Sequence, residues 1–267
     1  MSLVGRFAVV TGASSGIGRS SAILLAQEGA QVGLTGRNQP ALEKVVNEIK
    51  QLPGVNQNAA FFIVADTTVE KDVENAIATF VKMSDNSRID ILINCAGVLK
   101  GGSVDATSME TWDLNMNVNA RGLFCFMNKS IPFMARSKND LSAAIVNVSS
   151  VNGLQSFAGV AAYCASKAAV DMLTDCAAVD LAPKNIRVNA INPGVIRTEL
   201  QKRGGMNEEA YEAFVERSIA VTHPLGRIGN PEEVAQAILF LADSNKSGFT
   251  TGTHLTVDGG RRCIGAR

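Results

Sequence analysis

The sequence predicts an α/β protein built on a doubly wound, seven-stranded parallel sheet with helices on both faces. Three observations lead there. Seven short apolar runs recur, at 7–11, 31–35, 59–65, 89–95, 143–149, 186–191 and 254–257. Between most of them lie longer stretches with helical spacing, at 17–29, 39–52, 69–83, 108–135, 161–181 and 231–242. Regular alternation of this kind gives parallel strands joined by crossover helices. Third, the runs are continuously apolar rather than alternating, as suits strands covered on both sides.

The first run leads directly into Thr11-Gly12-Ala13-Ser14-Ser15-Gly16-Ile17-Gly18 and then into a helical stretch. Glycines between a strand and a helix let the backbone turn tightly and approach a pyrophosphate. The helix N-terminus adds amide donors and a partial positive charge. The predicted architecture is therefore Rossmann-like, with Gly12, Ser14, Ser15, Gly16, Ile17 and Gly18 as nucleotide-binding candidates. The spacing is Gly-x3-Gly-x-Gly, which departs from the common Gly-x-Gly-x-x-Gly fingerprint.

The second run ends in Gly36-Arg37, with no carboxylate where an NAD site usually places one on the adenine ribose. Arg37 can pair with a 2′-phosphate through its planar fork, with Ser14 or Arg19 in support. This favours NADP(H) over NAD(H); the plain alternative is that Arg37 is a solvated loop cation. The third run ends in Ala65-Asp66-Thr67. Asp66 fits two readings, an acceptor for an adenine amino group and a cap for the helix near Val69. The fourth, fifth and sixth runs end in Asn94-Cys95-Ala96-Gly97, Asn147-Val148-Ser149-Ser150 and Asn192-Pro193-Gly194. Ligands of open parallel sheets bind beyond the carboxyl ends of the strands, where these polar and small residues collect.

The fifth run and the helix after it carry the chemistry. Tyr163 and Lys167 are four residues apart, on one helix face. A free tyrosine, with a pKa of about 10, is a poor acid or base near neutrality. A neighbouring ammonium favours the phenolate, so the expectation is that Lys167 lowers the Tyr163 pKa. Such a phenol can protonate a carbonyl oxygen or deprotonate an alcohol, and Ser150 can hydrogen-bond the same oxygen. The pair alone also occurs as a half-buried ring beside a solvated ammonium. The rest of the chain gives it weight.

Between 197 and 225 lie Gly204-Gly205, a charged helix and the apolar residues Met206, Tyr211, Phe214 and Ile219. This segment reads as a lid with a glycine hinge. Leu99, Leu154 and Phe157 are further candidates for the pocket wall. Each apolar residue here fits helix-face core equally well.

Composition excludes other classes. With 25 basic and 25 acidic side chains the net charge is zero, which favours neither nucleic acid nor a membrane surface as partner. No apolar run reaches transmembrane length, and the first residues lack a signal-peptide pattern. The last residues, Ile264 to Arg267, match no targeting signal. The five cysteines show no metal-type spacing and read as free thiols in a reducing compartment. Two scattered histidines do not make a metal site. A cytoplasmic protein is expected.

Taken together, 11–18, Asn94-Cys95-Ala96-Gly97, Asn117-Val118-Asn119-Ala120-Arg121-Gly122, Ser150, Tyr163-x3-Lys167 and Asn192-Pro193-Gly194 resemble the short-chain dehydrogenase/reductase family. So does the tail, from Gly226-Arg227-Ile228-Gly229 through Thr251-Gly252 to Val257-Asp258-Gly259-Gly260. The likeness spans Phe7 to Gly260. It implies one domain over 1–267 with a substrate lid at about 195–225. It further implies Tyr163 as general acid/base, Lys167 as its tuner and ribose ligand, Ser150 orienting the carbonyl, and Asn119 holding a relay water. Asp66 and Thr67 match adenine contacts, and Asn94, Ala96 and Gly97 the ribose loop. Pro193, Gly194, Ile196 and Thr198 match the loop around the carboxamide. Cys95 stands where the family often has a second asparagine.

The resulting expectation is an NADP-dependent reductase of a ketone or aldehyde. Its substrate would be a small carbonyl compound such as a 3-oxoacyl thioester, a steroid, a retinoid or a xenobiotic. The tail leans toward the 3-oxoacyl-acyl-carrier-protein reductases. The alternatives are an NAD-dependent alcohol or hydroxysteroid dehydrogenase and a non-catalytic nucleotide-binding protein. The family also implies a homo-oligomer, dimer or tetramer, joined through the 108–135 and 161–181 helices and the last strand.

Overall fold

The structure, a computed structural model, describes residues 1–264. The end of the C-terminal stretch read for targeting signals lies outside them. Seven strands form one sheet in the order β3-β2-β1-β4-β5-β6-β7. They are β1 (Phe7–Thr11), β2 (Gln31–Gly36), β3 (Ala60–Val64), β4 (Ile91–Asn94), β5 (Ala143–Val148), β6 (Ile186–Pro193) and β7 (His254–Val257). Every pairing is parallel.

The helices cover both faces. Alternate residues of β1 point to opposite sides, so Ala8 and Val10 join one apolar layer while Phe7 and Val9 join the other. The first layer is closed by α1 (Gly16–Gln27), α2 (Gln39–Lys50) and α10 (Pro231–Ala242). The second is closed by α3 (Glu70–Met83), α5 (Leu123–Ser130) and α7 (Ala161–Leu181). β1 has β2 on one side and β4 on the other, so strand order reverses between β1 and β4. That switch opens a crevice at their carboxyl ends.

Of four differences from the sequence reading, the first three have local causes. The fourth strand ends at Asn94 because the amides of Cys95 and Ala96 leave the ladder for Thr11 Oγ1, each at 3.0 Å. The 108–135 helix is not continuous. It runs as α4 (Met109–Met116), a π turn at Asn117–Gly122, then α5, and tightens into a 3₁₀ turn at Ile131–Phe133, where Pro132 lacks an amide donor. The loop after β5 contains a short helix, α6 (Val151–Leu154), capped by Ser150, whose Oγ accepts from the Asn152 amide at 3.1 Å. In the 197–225 segment, α8 (Leu200–Arg203) and α9 (Glu208–Arg217) are followed by a π turn at Ser218–Thr222. Beyond α10, α11 (Ser244–Ser247) precedes β7.

Candidate active site

A cavity of about 530 Å³ lies across the carboxyl ends of the strands at the switch point. Its first wall is the glycine turn. Gly12 has φ +64° and sits so close to the next strand's loop that a Cβ there would lie 2.8 Å from the backbone of Ala96. Ser14, Ser15, Gly16 and Ile17 line the cavity beside it. Ser15 is the N-cap of α1 but offers it no side-chain bond, and the first turn holds no acid. The α1 amides therefore face the cavity with their dipole uncompensated, the donor set that a pyrophosphate needs. The turn thus fits a dinucleotide. Gly18 stands behind this wall; its own Cβ would lie 2.4 Å from the Gly12 carbonyl oxygen.

At the far end of this wall are Arg37, Asp66 and Thr67. The Arg37 side chain is 66% exposed and its guanidinium is 3.8 Å from the Asp66 carboxylate. Arg19 is committed elsewhere, donating to both Glu48 oxygens at 2.9 and 2.8 Å. Asp66 Oδ1 accepts from the Thr68 amide at 2.8 Å and hydroxyl at 2.7 Å, closing a turn ahead of α3. The helix's own N-cap is Val69, without a side-chain bond. Asp66 keeps its other oxygen toward Arg37.

The catalytic candidates converge on the opposite wall. Tyr163, Lys167 and Ser150 are 5%, 5% and 7% exposed, and all three line the cavity. Lys167 Nζ donates to the Val148 carbonyl at 2.8 Å and sits 5.7 Å from the centre of the Tyr163 ring. Burial pushes the Lys167 ammonium down to about 8. Burial also pushes the Tyr163 phenol up to about 12, against the pull of the Ser150 hydroxyl. The expected lowering of the Tyr163 pKa by Lys167 is therefore corrected: desolvation of the phenolate sets the direction, and the Ser150 hydroxyl, not the Lys167 cation, is what pulls against it. The thiol of Cys95 is held up to about 12 by the same burial.

Asn119 lies in the π turn, fully buried, one layer behind. Its side chain accepts from the Val98 amide at 2.8 Å and donates to the Val98 carbonyl at 2.9 Å and to Ser166 Oγ at 2.9 Å. It thereby fixes the loop after β4, which presents Ala96 and Gly97 to the cavity. Asn94 turns away from the cavity: its amide donates to Asn147 Oδ1 at 2.9 Å, and Asn147 donates on to Thr174 at 2.9 Å. Pro193, Gly194, Ile196 and Thr198 line the remaining side.

The 197–225 segment borders this space with residues other than those expected. Leu200, Gln201 and Arg203 of α8 line the cavity with Leu99, while Met206, Tyr211, Phe214, Ile219, Leu154 and Phe157 do not. Tyr211 faces an outer groove with Lys202 4.8 Å over its ring, and Phe157 is covered by Arg261 at 4.5 Å. Apolar content alone cannot show which way a short helix turns. Gly204 is needed for closeness: a Cβ there would lie 2.4 Å from the Leu99 carbonyl oxygen. Among the described residues no group of three His, Cys, Asp or Glu is gathered to hold a metal ion, and no helix is long and apolar enough to cross a membrane.

Comparison with known proteins agrees with this geometry. Residues 12–262 match a family model described as Enoyl-(Acyl carrier protein) reductase. The chain is 38% identical to a 3-oxoacyl-(acyl-carrier-protein) reductase of Thermotoga maritima, over 97% of this chain and 99% of that one. It is 39% identical to a cyclopentanol dehydrogenase of a Comamonas strain, over 94% and 95%. A short-chain dehydrogenase/reductase of Caenorhabditis elegans, solved with cofactor and of unknown function, superposes with a TM-score of 0.91 at 32% identity, covering 100% of this chain and 98% of that one. Glycine turn, switch-point cavity and whole-length likeness together place the chain in the short-chain dehydrogenase/reductase family of oxidoreductases.

Proposed function

We propose that this protein is an NADP(H)-dependent reductase that converts a small ketone or aldehyde to its alcohol, with Tyr163 as the proton donor. The observation that carries the reading is the meeting of Tyr163, Lys167 and Ser150 with the glycine turn in one cavity. The cofactor, when bound, supplies the hydride to the carbonyl carbon. Ser150 holds the carbonyl oxygen, and Tyr163 gives that oxygen its proton. Burial keeps the Tyr163 phenol protonated at neutral pH, so it has a proton to give, and by itself makes that phenol a weaker acid than a free tyrosine. Lys167, fixed by the Val148 carbonyl, orients the ribose and returns a proton to the phenolate through a water at Asn119. Gly12, Gly16, Ile17 and the α1 amides hold the pyrophosphate. Asp66, Thr67, Ala96 and Gly97 hold the adenosine side, and Pro193, Gly194, Ile196 and Thr198 the carboxamide.

Arg37 supports the choice of NADP(H), since it stands exposed at the cavity rim and is held only by a 3.8 Å ion pair with Asp66. That same Asp66 contact supports a second reading. If Arg37 stays paired with Asp66, an NAD-dependent alcohol dehydrogenase results, and a relative named cyclopentanol dehydrogenase accords with it. The reading further includes one domain over 1–267 with its lid at about 195–225. It also includes a homo-oligomer joined at α4, α5, α7 and the last strand; the three helices leave Trp112, Phe124, Met172 and Val179 exposed.

Initial rates with NADPH and NADH against a 3-oxoacyl thioester, a steroid ketone, retinal, a cyclic ketone and an aromatic aldehyde test the reading. NADPH-dependent reduction of one class is the expected result. Faster rates with NADH would move the assignment to the second reading.

A further inference from the structure

Arg203 holds a position that its charge disfavours. It is the last residue of α8, is exposed, and lines the cavity. Its Nη1 donates to the Ser15 hydroxyl at 3.2 Å. Ser15 is the N-cap of α1, whose first turn holds no acid. The guanidinium therefore stands at the positive end of a helix dipole, which favours anions and disfavours cations. Among the described residues it pairs with no carboxylate, while its neighbour Lys202 is committed to Glu208 at 2.8 Å in the outer groove. The chain leading into α8 also rests on the turn: a Cβ on Gly16 would lie 3.1 Å from Thr198 Cγ2. Two positive groups that meet with no acid between them mark a place for a negative charge. The other cations of the cavity stand elsewhere. Arg37 is beside Asp66, Lys167 Nζ is on the Val148 carbonyl, and Lys100 follows Leu99 in the loop after β4.

We propose that Arg203 is a further cofactor-binding residue, the counter-ion of the dinucleotide's pyrophosphate, brought to the glycine turn by α8. The α1 dipole offsets only about half a charge of that doubly charged group, and Arg203 supplies the rest of the balance. A guanidinium presents paired donors in one plane that suit phosphate oxygens, and Arg203 keeps donors beyond the one on Ser15. Leu200 and Gln201 of the same short helix line the cavity, so a cofactor held by Arg203 also holds that part of the cavity wall. This inference rests on the dinucleotide reading of the glycine turn.

The test is calorimetric titration of NADPH, NADH and 2′-AMP into wild type, Arg203→Ala and Arg203→Lys. Arg203→Ala should weaken each dinucleotide that wild type binds by about tenfold, since both carry the pyrophosphate. Arg203→Lys, which keeps the charge without the planar fork, should fall between Arg203→Ala and wild type. 2′-AMP, which has the 2′-phosphate but no pyrophosphate, should bind wild type and Arg203→Ala alike. Melting temperatures without cofactor should be level across the three proteins, because Arg203 is exposed. Unchanged dinucleotide affinity in Arg203→Ala would overturn the assignment and leave the dinucleotide reading intact. Equal weakening of 2′-AMP and NADPH would overturn it as well, by making Arg203 a contact of the 2′-phosphate. If wild type bound neither dinucleotide, the assignment would fall together with the reading it rests on.

Discussion

The two ends of the sheet differ in how their buried charges are paired. At the amino end, Asp90 is fully buried and saturated. It accepts from the Phe7 amide at 2.8 Å and from Arg136 at 3.0 Å, with Arg88 at 3.3 Å and Arg6 at 3.7 Å. Arg136 also donates to the backbone carbonyls of Ile89 and Met134, each at 2.8 Å. Arg187, nearby, donates to Ser142 and Ser247 hydroxyls at 3.0 and 3.1 Å. At the carboxyl end, Lys167 has one backbone bond. Charge that is closed on itself is architecture, and polar surface left open toward a cavity is a place for a ligand. The contrast separates stability from function on one sheet, and substitutions can test whether the two truly part.

The largest effect belongs to the open end. Tyr163→Phe should lower kcat for carbonyl reduction by about three orders of magnitude, within the range for loss of a general acid. The melting temperature should stay level or rise slightly, because a buried hydroxyl is removed. Cofactor affinity, read by nucleotide fluorescence, should not change. A Tyr163→Phe protein with more than a tenth of wild-type kcat would end the role given to that phenol.

The complementary substitution is Asp90→Ala. It leaves the Arg136 side chain, 6% exposed, buried without its counter-ion. Breaking such a pair costs about 3 kcal/mol or more, a fall of roughly 6–12 °C in melting temperature for a chain of this size. Below the transition the kcat of the folded fraction should match wild type. A loss of kcat without a loss of stability would show that the two ends are coupled and not separate.

How much of this was legible in the sequence follows the same division. The strands were legible because parallel strands buried on both faces are continuous apolar runs, and 161–181 matched α7 at both ends. The glycine turn was legible because its function needs the absence of side chains, and absence is visible in a sequence. The sign of the Tyr163 shift was not. Spacing on a helix shows that Lys167 is near, but desolvation depends on how deep the pair is sunk, which the whole fold decides. Arg203 was missed for a related reason. No pattern marks an arginine that reaches a serine 188 residues away, since the contact shows only once the whole chain is placed.

A smaller effect probes the rim of the cavity, between the two regimes. Arg37 is exposed and only loosely held by Asp66, so its removal should not touch stability. Arg37→Ala should weaken NADPH binding about tenfold, equivalent to about 1.4 kcal/mol, and leave NADH binding within twofold. Titration of both cofactors into both proteins checks it. Equal weakening for the two would make Arg37 a general anion contact rather than the reader of a 2′-phosphate.

The smallest effect concerns the joint between the 197–225 segment and the sheet, where a closed network meets the open site. His223 is 4% exposed and ties the far end of that segment to the chain just before it: its Nε2 accepts from the Val195 amide at 3.2 Å, and its Nδ1 lies 2.9 Å from the Ser218 carbonyl. Only the neutral ring can do both, with its proton on Nδ1. Burial, and then Arg261, lower its pKa, against the Ser218 carbonyl and Asp258. A lowered pKa means that the unfolded chain takes up the proton first as pH falls. Stability held by His223 is therefore complete above about 6.5 and declines as pH drops from there toward the lower folded value. With that joint loosened, KM for the carbonyl substrate should rise over the same interval while kcat changes little. His223→Gln, which can still accept from Val195 but does not titrate, should flatten that limb by about a factor of a few. Matched KM profiles from pH 5 to 8 for the two proteins decide the point, since a rise that persists in His223→Gln would place the titrating group outside that joint.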